Sequence, residues 1–364
     1  MIETFPLVQD TLAAVQDTLI SADTAVVAEK ARGMLATFQE MDKEKLNFGG
    51  ASLPLQIVLG FVMFGVALGI KGQHFKDVAK NPKLVILGFL SQFLLLPAVT
   101  FLLVLSLSSF ITPTVALGMI LVASCPGGNI SNFMSSVAKA NVALSVTLTA
   151  IATLGAIVLT PFNFALWGGL YLKFAPSEAT AFLRELYIDP IEMFKTVLLL
   201  LGVPLALGMW FNYQFPKITA KIFNPLKNIS MVIFLLLVVV LFSMNYNFFI
   251  RFIGYIFIVV LIHNVIAIGT GYSVGTLFKV DGASRRTFSI ETGIQNSGLG
   301  LVLLFNEAIF PPELKIGGMA FIAGWWGIWH ILSGLGLSNY WARIPYGDRF
   351  RWSHFRPRFL KAKS

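Results

Sequence analysis

Cysteine is almost absent from this chain. Cys125 stands alone among 364 residues, so no intrachain disulfide and no cluster of thiolates can form. Charge is scarce as well: 12% of residues are Asp, Glu, Lys or Arg, against roughly 25% in soluble domains. No nucleotide-binding glycine pattern, metalloprotease motif or catalytic triad occurs, so an enzyme is not expected. What fills the gap is apolar: 56% of the chain is hydrophobic, Phe alone accounts for 33 positions, and the mean hydropathy is +0.77. That composition places the chain in lipid and divides its length into stretches of roughly 20 residues that cross a bilayer. The formal net charge of +9 comes from dispersed bases, which argues against nucleic acid as a partner.

Residues 1–50 differ from the rest, with eight acids against four bases. Leu12, Val15, Leu19 and Ile20 recur at helical spacing, which reads as an amphipathic tail on a surface or as a solvated tail. No basic region followed by an apolar one marks a signal peptide. Nine spans follow, at about 52–70, 84–106, 114–138, 141–169, 191–211, 228–246, 252–278, 284–307 and 314–339. Bases sort by loop. Lys71 to Lys83 carries four lysines, Lys217, Lys221 and Lys227 lie together, Lys279 to Arg286 has three bases, and the tail from Tyr340 holds seven against one Asp. The alternate loops are poor in bases: Leu107 to Pro113 has none, and Tyr171 to Pro190 has two against three acids. Lys and Arg are retained on the cytoplasmic side, so an odd number of spans puts the N-terminus outside and the C-terminus in the cytoplasm. The basic tail, 341–364, reads as an anchor on anionic lipid.

Two spans are interrupted. The third reads Cys-Pro-Gly-Gly-Asn-Ile-Ser-Asn over 125–132, and the eighth reads Glu-Thr-Gly-Ile-Gln-Asn-Ser-Gly-Leu-Gly over 291–300. Gly- and Pro-broken segments in corresponding positions of two halves point to a transporter binding site. Bare backbone is tolerated at membrane depth only where it lines a cavity or is buried in protein. The spacing suits an inverted repeat of spans 2–4 on spans 7–9, with spans 1, 5 and 6 as a second layer. Glu291 is the sharpest single residue, because a carboxylate at mid-bilayer needs a partner. The nearest bases, Arg285 and Arg286, stand near the cytoplasmic end of the span, so a metal cation is the natural partner; a protonated carboxyl or a structural hydrogen bond is the alternative. Ser145 and Thr149 lie four apart on one helix face, and Ser131 and Asn132 lie in the first break. Oxygen ligands of this kind suit a hard cation such as Na⁺.

At these residues the sequence resembles the bile acid:sodium symporter family. Besides the two breaks, Asn141 to Thr149, Ser91-Gln-Phe-Leu-Leu-Leu-Pro97, His263-Asn264 and Trp329-His330 carry the likeness, which extends over about 52–342. The resemblance implies an all-α membrane protein of about nine helices, with an inverted-repeat core and two discontinuous crossing helices. The core would be about 84–169 and 252–339, and a panel domain about 52–70 and 191–246. It also implies two Na⁺ sites. One would comprise Ser131, Asn132, Ser145, Thr149 and Glu291. The other would comprise Gln92, Glu291, Gln295 and the carbonyls of Thr292 and Ile294. The substrate, a small organic anion of bile-acid, pantoate or keto-acid type, would lie near Asn129, Asn296 and His330. Ile331 stands where relatives can have Asn, and the chain has a polar tail where ten-span relatives have a first span.

The expectation is therefore a sodium-coupled symporter in the cell membrane that imports an organic anion, with the lipid bilayer as its surroundings and no obligate protein partner. A proton-coupled carrier and an arsenite-type efflux carrier using Cys125 are the alternatives on a related fold; a non-transporting ligand sensor is a third. Cys125 otherwise reads as a buried small residue, His263 as a helix-packing or hydrogen-bonding residue, and Trp325, Trp326 and Trp329 as an interfacial belt.

Overall fold

The structure is a computed structural model that describes residues 28–42, 52–70, 76, 81–175, 190–307, 309, 310, 314 and 316–344. The apolar positions Leu12, Val15, Leu19 and Ile20 and the tail beyond 344 lie outside those residues. All regular structure within them is helical, apart from one isolated antiparallel bridge between Gly127 and Gln295. We number the helices α1 (28–42), α2 (Ser52–Ala67), α3 (Pro82–Ser106), α4 (Pro113–Ser124), α5 (Ser131–Val137) and α6 (Val142–Phe174). They continue with α7 (Pro190–Gln214), α8 (Pro216–Met244), α9 (Tyr246–Leu277), α10 (Gly282–Gly293), α11 (Ser297–Leu304) and α12 (Gly317–Ala342). Five of them, α3, α6, α7, α9 and α12, are long and apolar enough to cross a membrane. Gln56–Ala67 and Pro113–Ser124 are shorter apolar helices.

Proline explains a shared irregularity of α3 and α7. Each widens into a single π turn, Ser91–Leu95 and Leu198–Gly202, just ahead of Pro97 and Pro204. Proline has no N–H to give the carbonyl four residues back, and a π turn is one way for a helix to absorb that defect. For Pro97 the orphaned acceptor is the Phe93 carbonyl. Asn163 of α6 supplies the missing donor, with Nδ2 at 2.8 Å.

The broken helices occupy the middle of the molecule. Every residue of α4 from Thr114 to Ser124 is buried, and so is all of α11 and α10 from Arg286 onward. The long helices α6, α9 and α12 wrap them and turn residues such as Val158, Phe162, Ile250 and Leu332 outward, as helices facing lipid do. Caps fix where the inner helices begin. Asn141, Asp281 and Asn296 each accept from the backbone N–H three residues on, at the starts of α6, α10 and α11.

Two features depart from a simple reading. Of the two alternatives for the acidic N-terminal stretch, residues 28–42 take the helical one, and Phe38 and Met41 are buried in the main core. Glu40 pairs with Arg251 at 2.5 Å, and the Asp42 carboxylate accepts from Thr114 Oγ1 at 2.5 Å. Of the three tryptophans expected in an interfacial belt, Trp326 is turned inward. Trp326 is fully buried with its ring edge-on to His263, and Trp325 and Trp329 pack on Phe249 and Phe257.

Candidate functional site

The two interruptions meet. After Ser124 the chain becomes extended at Cys125, and after Gly293 it becomes extended at Ile294. The loosened stretches run antiparallel past each other. Gly128 N–H donates to the Ile294 carbonyl at 2.6 Å, and Asn296 N–H donates to the Pro126 carbonyl at 2.8 Å. Each break thus supplies part of the hydrogen bonding that the other lost on leaving the helix. The crossing needs glycine on one side. A Cβ on Gly127 would stand 3.0 Å from Glu291 Oε2, and one on Gly128 would stand 3.1 Å from the Gln295 carbonyl.

Glu291, on the last turns of α10, is 5% exposed. Its Oε1 accepts from Ser131 Oγ at 2.6 Å and from Ser145 Oγ, and its Oε2 accepts from Thr149 Oγ1 at 3.0 Å. Asn132 Oδ1 accepts from Ser145 Oγ at 2.9 Å and from Thr149 Oγ1 at 3.3 Å. All five residues expected at the first cation site are therefore brought together, from α5, α6 and α10. Each of the three hydroxyls carries one proton, yet Ser145 lies against both the carboxylate and the amide oxygen. Thr149 lies against those two and its own Ser145 carbonyl. The cluster holds more close oxygen pairs than it has protons to join, which is the donor set of a hard cation. No basic side chain reaches Glu291 among the described residues. Arg286, one and a half turns earlier, points its guanidinium at the carbonyls of Ala138, Trp341 and Ile344 at 2.8, 3.0 and 3.0 Å. Nor do three His, Cys, Asp or Glu side chains gather among the described residues, so a soft-metal site has no ligands here.

The second expected set behaves differently. Gln92, held in the π turn of α3, donates through Nε2 to the Cys125 carbonyl at 2.9 Å and to Gln295 Oε1 at 2.7 Å. Gln295 returns Nε2 to Gln92 Oε1 at 3.2 Å and to the Thr292 carbonyl at 2.7 Å. Ile294 gives its carbonyl to Gly128. Gln92, Gln295, Thr292 and Ile294 thus meet each other and the breaks, while the Glu291 carboxylate is engaged by the hydroxyls of Ser131, Ser145 and Thr149.

A cavity of about 740 Å³ opens beside the crossing. Asn129, Asn296 and His330 all line it, and so do Asn132, Thr149 and Gln295, so the Glu291 cluster borders it directly. The opposite wall is built from α2, the end of α7 and the start of α8, including Leu59, Val66, Asn212 and Phe223. Asn296 Oδ1 is spent on capping α11 and its Nδ2 makes a long contact with Met63 Sδ at 3.9 Å, so that amide and the half-helix dipole are the favourable features for an anion. Cys125 is fully buried and does not line the cavity.

Two supporting residues carried no assigned role in the sequence. Asn163 holds the π turn that carries Gln92. Asn264 donates to the Gly293 carbonyl at 2.8 Å, where α10 breaks, and accepts from Ser333 Oγ of α12 at 2.7 Å. The available signal was a polar amide within an otherwise apolar long helix, which calls for a specific partner.

Comparison with known proteins is in keeping with this geometry. The profile of the sodium bile acid symporter family matches residues 56–252, more than half of the chain. The chain is 33% identical over 289 residues to the uncharacterized sodium-dependent transporter YocS of Bacillus subtilis, covering 79% of this chain and 83% of that protein. It is 31% identical over 277 residues to the probable sodium/metabolite cotransporter BASS2, chloroplastic, of Oryza sativa subsp. japonica. That match covers 73% of this chain but 62% of the rice protein, less than two thirds of its length. It is 27% identical over 262 residues to the ileal sodium/bile acid cotransporter of Cricetulus griseus, covering 72% of this chain and 71% of that one.

Proposed function

The chain belongs to the sodium bile acid symporter family, and from that premise we propose that it is a sodium-coupled carrier that imports a small organic anion by alternating access. The observation that carries the reading is the gathering of Ser131, Ser145 and Thr149 hydroxyls and the Asn132 amide oxygen on Glu291 at the wall of a cavity. On this reading Na⁺ is bound there by Ser131, Asn132, Ser145, Thr149 and Glu291. A second Na⁺ is bound by Gln92, Gln295, Glu291 and the carbonyls of Thr292 and Ile294. A carboxylate at mid-bilayer is then neutralised, and a second ion adds net positive charge beside two half-helix N-termini. That charge favours an anion against Asn129, Asn296 and His330. Cation and substrate affinities become linked, each raising the other by the same factor. Proton coupling through Glu291 alone would have no use for so many oxygens, and Cys125 lies away from the cavity that an efflux substrate would enter.

The element order supports nine spans arranged as an inverted repeat. A long helix, a broken pair and a long helix occur twice: α3, α4/α5, α6 and then α9, α10/α11, α12. The broken pairs have similar lengths, 12 and 7 residues against 12 and 8, and their unwound stretches pass antiparallel. In this arrangement α2, α7 and α8 form the panel and the two repeats form the core. With the basic loops in the cytoplasm, the cavity wall at Leu68 to Ile70, Asn212 and Pro216 lies at the cytoplasmic end, an inward-facing state. The test is transport itself. In liposomes containing the purified protein, uptake of labelled taurocholate, pantoate or 2-oxoisovalerate is expected to follow an inward sodium gradient and to stop when potassium replaces sodium. Flux of every accepted anion that is indifferent to sodium would overturn the reading.

A further inference from the structure

Ahead of Glu291 on the same helix, α10 also grips the turn that joins α5 to α6. Arg286 Nη1 donates to the Ala138 carbonyl at 2.8 Å. Thr287 Oγ1 donates to the Asn141 carbonyl at 3.0 Å, closer than the Ala283 carbonyl four residues back at 3.2 Å, which is the usual acceptor in a helix. Asn141 N–H in turn donates to the Ala283 carbonyl at 3.3 Å, and Asn141 Nδ2 to Ser284 Oγ at 3.3 Å. The turn itself is tight, with Lys139 in the left-handed region at φ 55°. Arg286 and Thr287 are buried, and neither lines the cavity. Beside this grip Ile290 shares a buried apolar cluster with Met134 and Ala138.

We infer that Arg286 and Thr287 are positioning residues for the cation cluster: they clasp the α5–α6 turn to α10 and so fix how closely Ser131, Asn132, Ser145 and Thr149 converge on Glu291. The inference rests on the carrier reading and adds residues that lie outside both expected cation sites. The path of the chain carries it. Four of the five cluster residues stand on α5 and α6 and the fifth stands on α10, so the spacing of the oxygens is the spacing of those helices. With seven residues, α5 is too short to hold its place by itself. Its start is fixed at the crossing and its end at Arg286. The choice of side chain points the same way. Burying a guanidinium is costly, and an apolar side chain could fill the same space without that cost. The planar guanidinium instead reaches three carbonyls in set directions. They are those of Ala138, Trp341 and Ile344, at and just beyond the ends of α5 and α12, where helix carbonyls lack partners of their own. A register is what such a fork adds, and a shift of α5 along α10 would break it.

The experiment takes apparent sodium dissociation constants for the purified full-length protein from thermal unfolding across a sodium titration, with potassium holding the ionic strength constant. Arg286→Lys keeps the charge but not the fork. It is expected to weaken sodium binding about tenfold, as loss of a group that orients a metal's ligands does. Thr287→Val keeps the side-chain shape and is expected to weaken binding about threefold, while Thr287→Ser, which keeps the hydroxyl, restores the wild-type constant. A role in folding alone would lower the melting temperature in potassium and leave the sodium constant where it was. That result in both Arg286→Lys and Thr287→Val overturns the inference, as does a Thr287→Ser variant no better than Thr287→Val. Where Arg286→Lys yields no folded protein, the two Thr287 variants decide. The wild type separates this outcome from the parent reading. No stabilisation by sodium in the wild type sinks the carrier reading itself, whereas a responsive wild type with equally responsive variants sinks the positioning role alone.

Discussion

The oxygens around Glu291 and the amides of Gln92 and Gln295 sit at the same crossing, and their hydrogen bonding is opposite in kind. Around Glu291 a carboxylate and an amide oxygen compete for the protons of three hydroxyls. Between the glutamines both NH₂ groups are fully spent, on each other and on the carbonyls of Cys125 and Thr292. An ion entering the first cluster displaces little, because the oxygens already converge and lack donors. An ion entering the second must first part a closed amide pair, and that cost comes off its affinity. On the proposed reading the two sodium ions therefore bind unequally, the Glu291 cluster filling first. The glutamine pair then acts as a latch that holds both breaks together until the second ion arrives.

The largest effect should follow removal of the charge that both expected sites share. Glu291→Gln keeps the shape and the capacity to accept hydrogen bonds. It leaves a cation with no anion to balance it, a loss of about 3 kcal/mol or more for a buried charge, or upwards of 100-fold in sodium affinity. Thermal unfolding of the purified variant across a sodium titration should show no stabilisation, since a ligand raises stability only by binding the folded state. A wild-type sodium response in this variant would break the comparison at its root.

Gln92→Met should do less and should separate the clusters. The thioether fills similar space but cannot pair with Gln295 or reach the Cys125 carbonyl. The response to low sodium, from the Glu291 cluster, should remain. The component needing higher sodium should weaken about tenfold, the worth of about 1.4 kcal/mol. Were the pair only structural, the melting temperature without sodium would fall and the sodium titration would keep its shape.

The same contrast marks what the chain of letters could reveal. The breaks were legible because Pro126, Gly127, Gly128, Gly293 and Gly298 interrupt apolar runs, and a lone carboxylate in such a run demands a partner. Ser145 and Thr149 followed from helical spacing. The closure of Gln92 on Gln295 was not legible, because it joins residues 203 positions apart and depends on a π turn that only the packed α3 displays. Trp326 misled for a related reason: membrane helices place such rings either at the interface or against a neighbour, and His263 on α9 decides it. Residues 28–42 show the limit of composition. Their acids suggest a solvated stretch, but Phe38 and Met41 seek the core and two acids find partners at the ends of α4 and α9.

The smallest predicted effect tests whether the latch depends on its support. Asn163 donates to the Phe93 carbonyl that Pro97 leaves unserved, one residue from Gln92 in the same π turn. Asn163→Leu removes that donor and costs about 1 kcal/mol, so a melting temperature about 2–4 °C lower is expected without sodium. If the bond also aims Gln92, the high-sodium component should weaken about twofold while the Glu291 component stays fixed. Residues that act on one element do not add. In the background of Gln92→Met, Asn163→Leu should therefore lower the melting temperature as before yet leave the sodium titration where the single variant put it. An additive further loss of sodium affinity would show that Asn163 acts on the Glu291 cluster through the body of α6, and the division between the two clusters would fall.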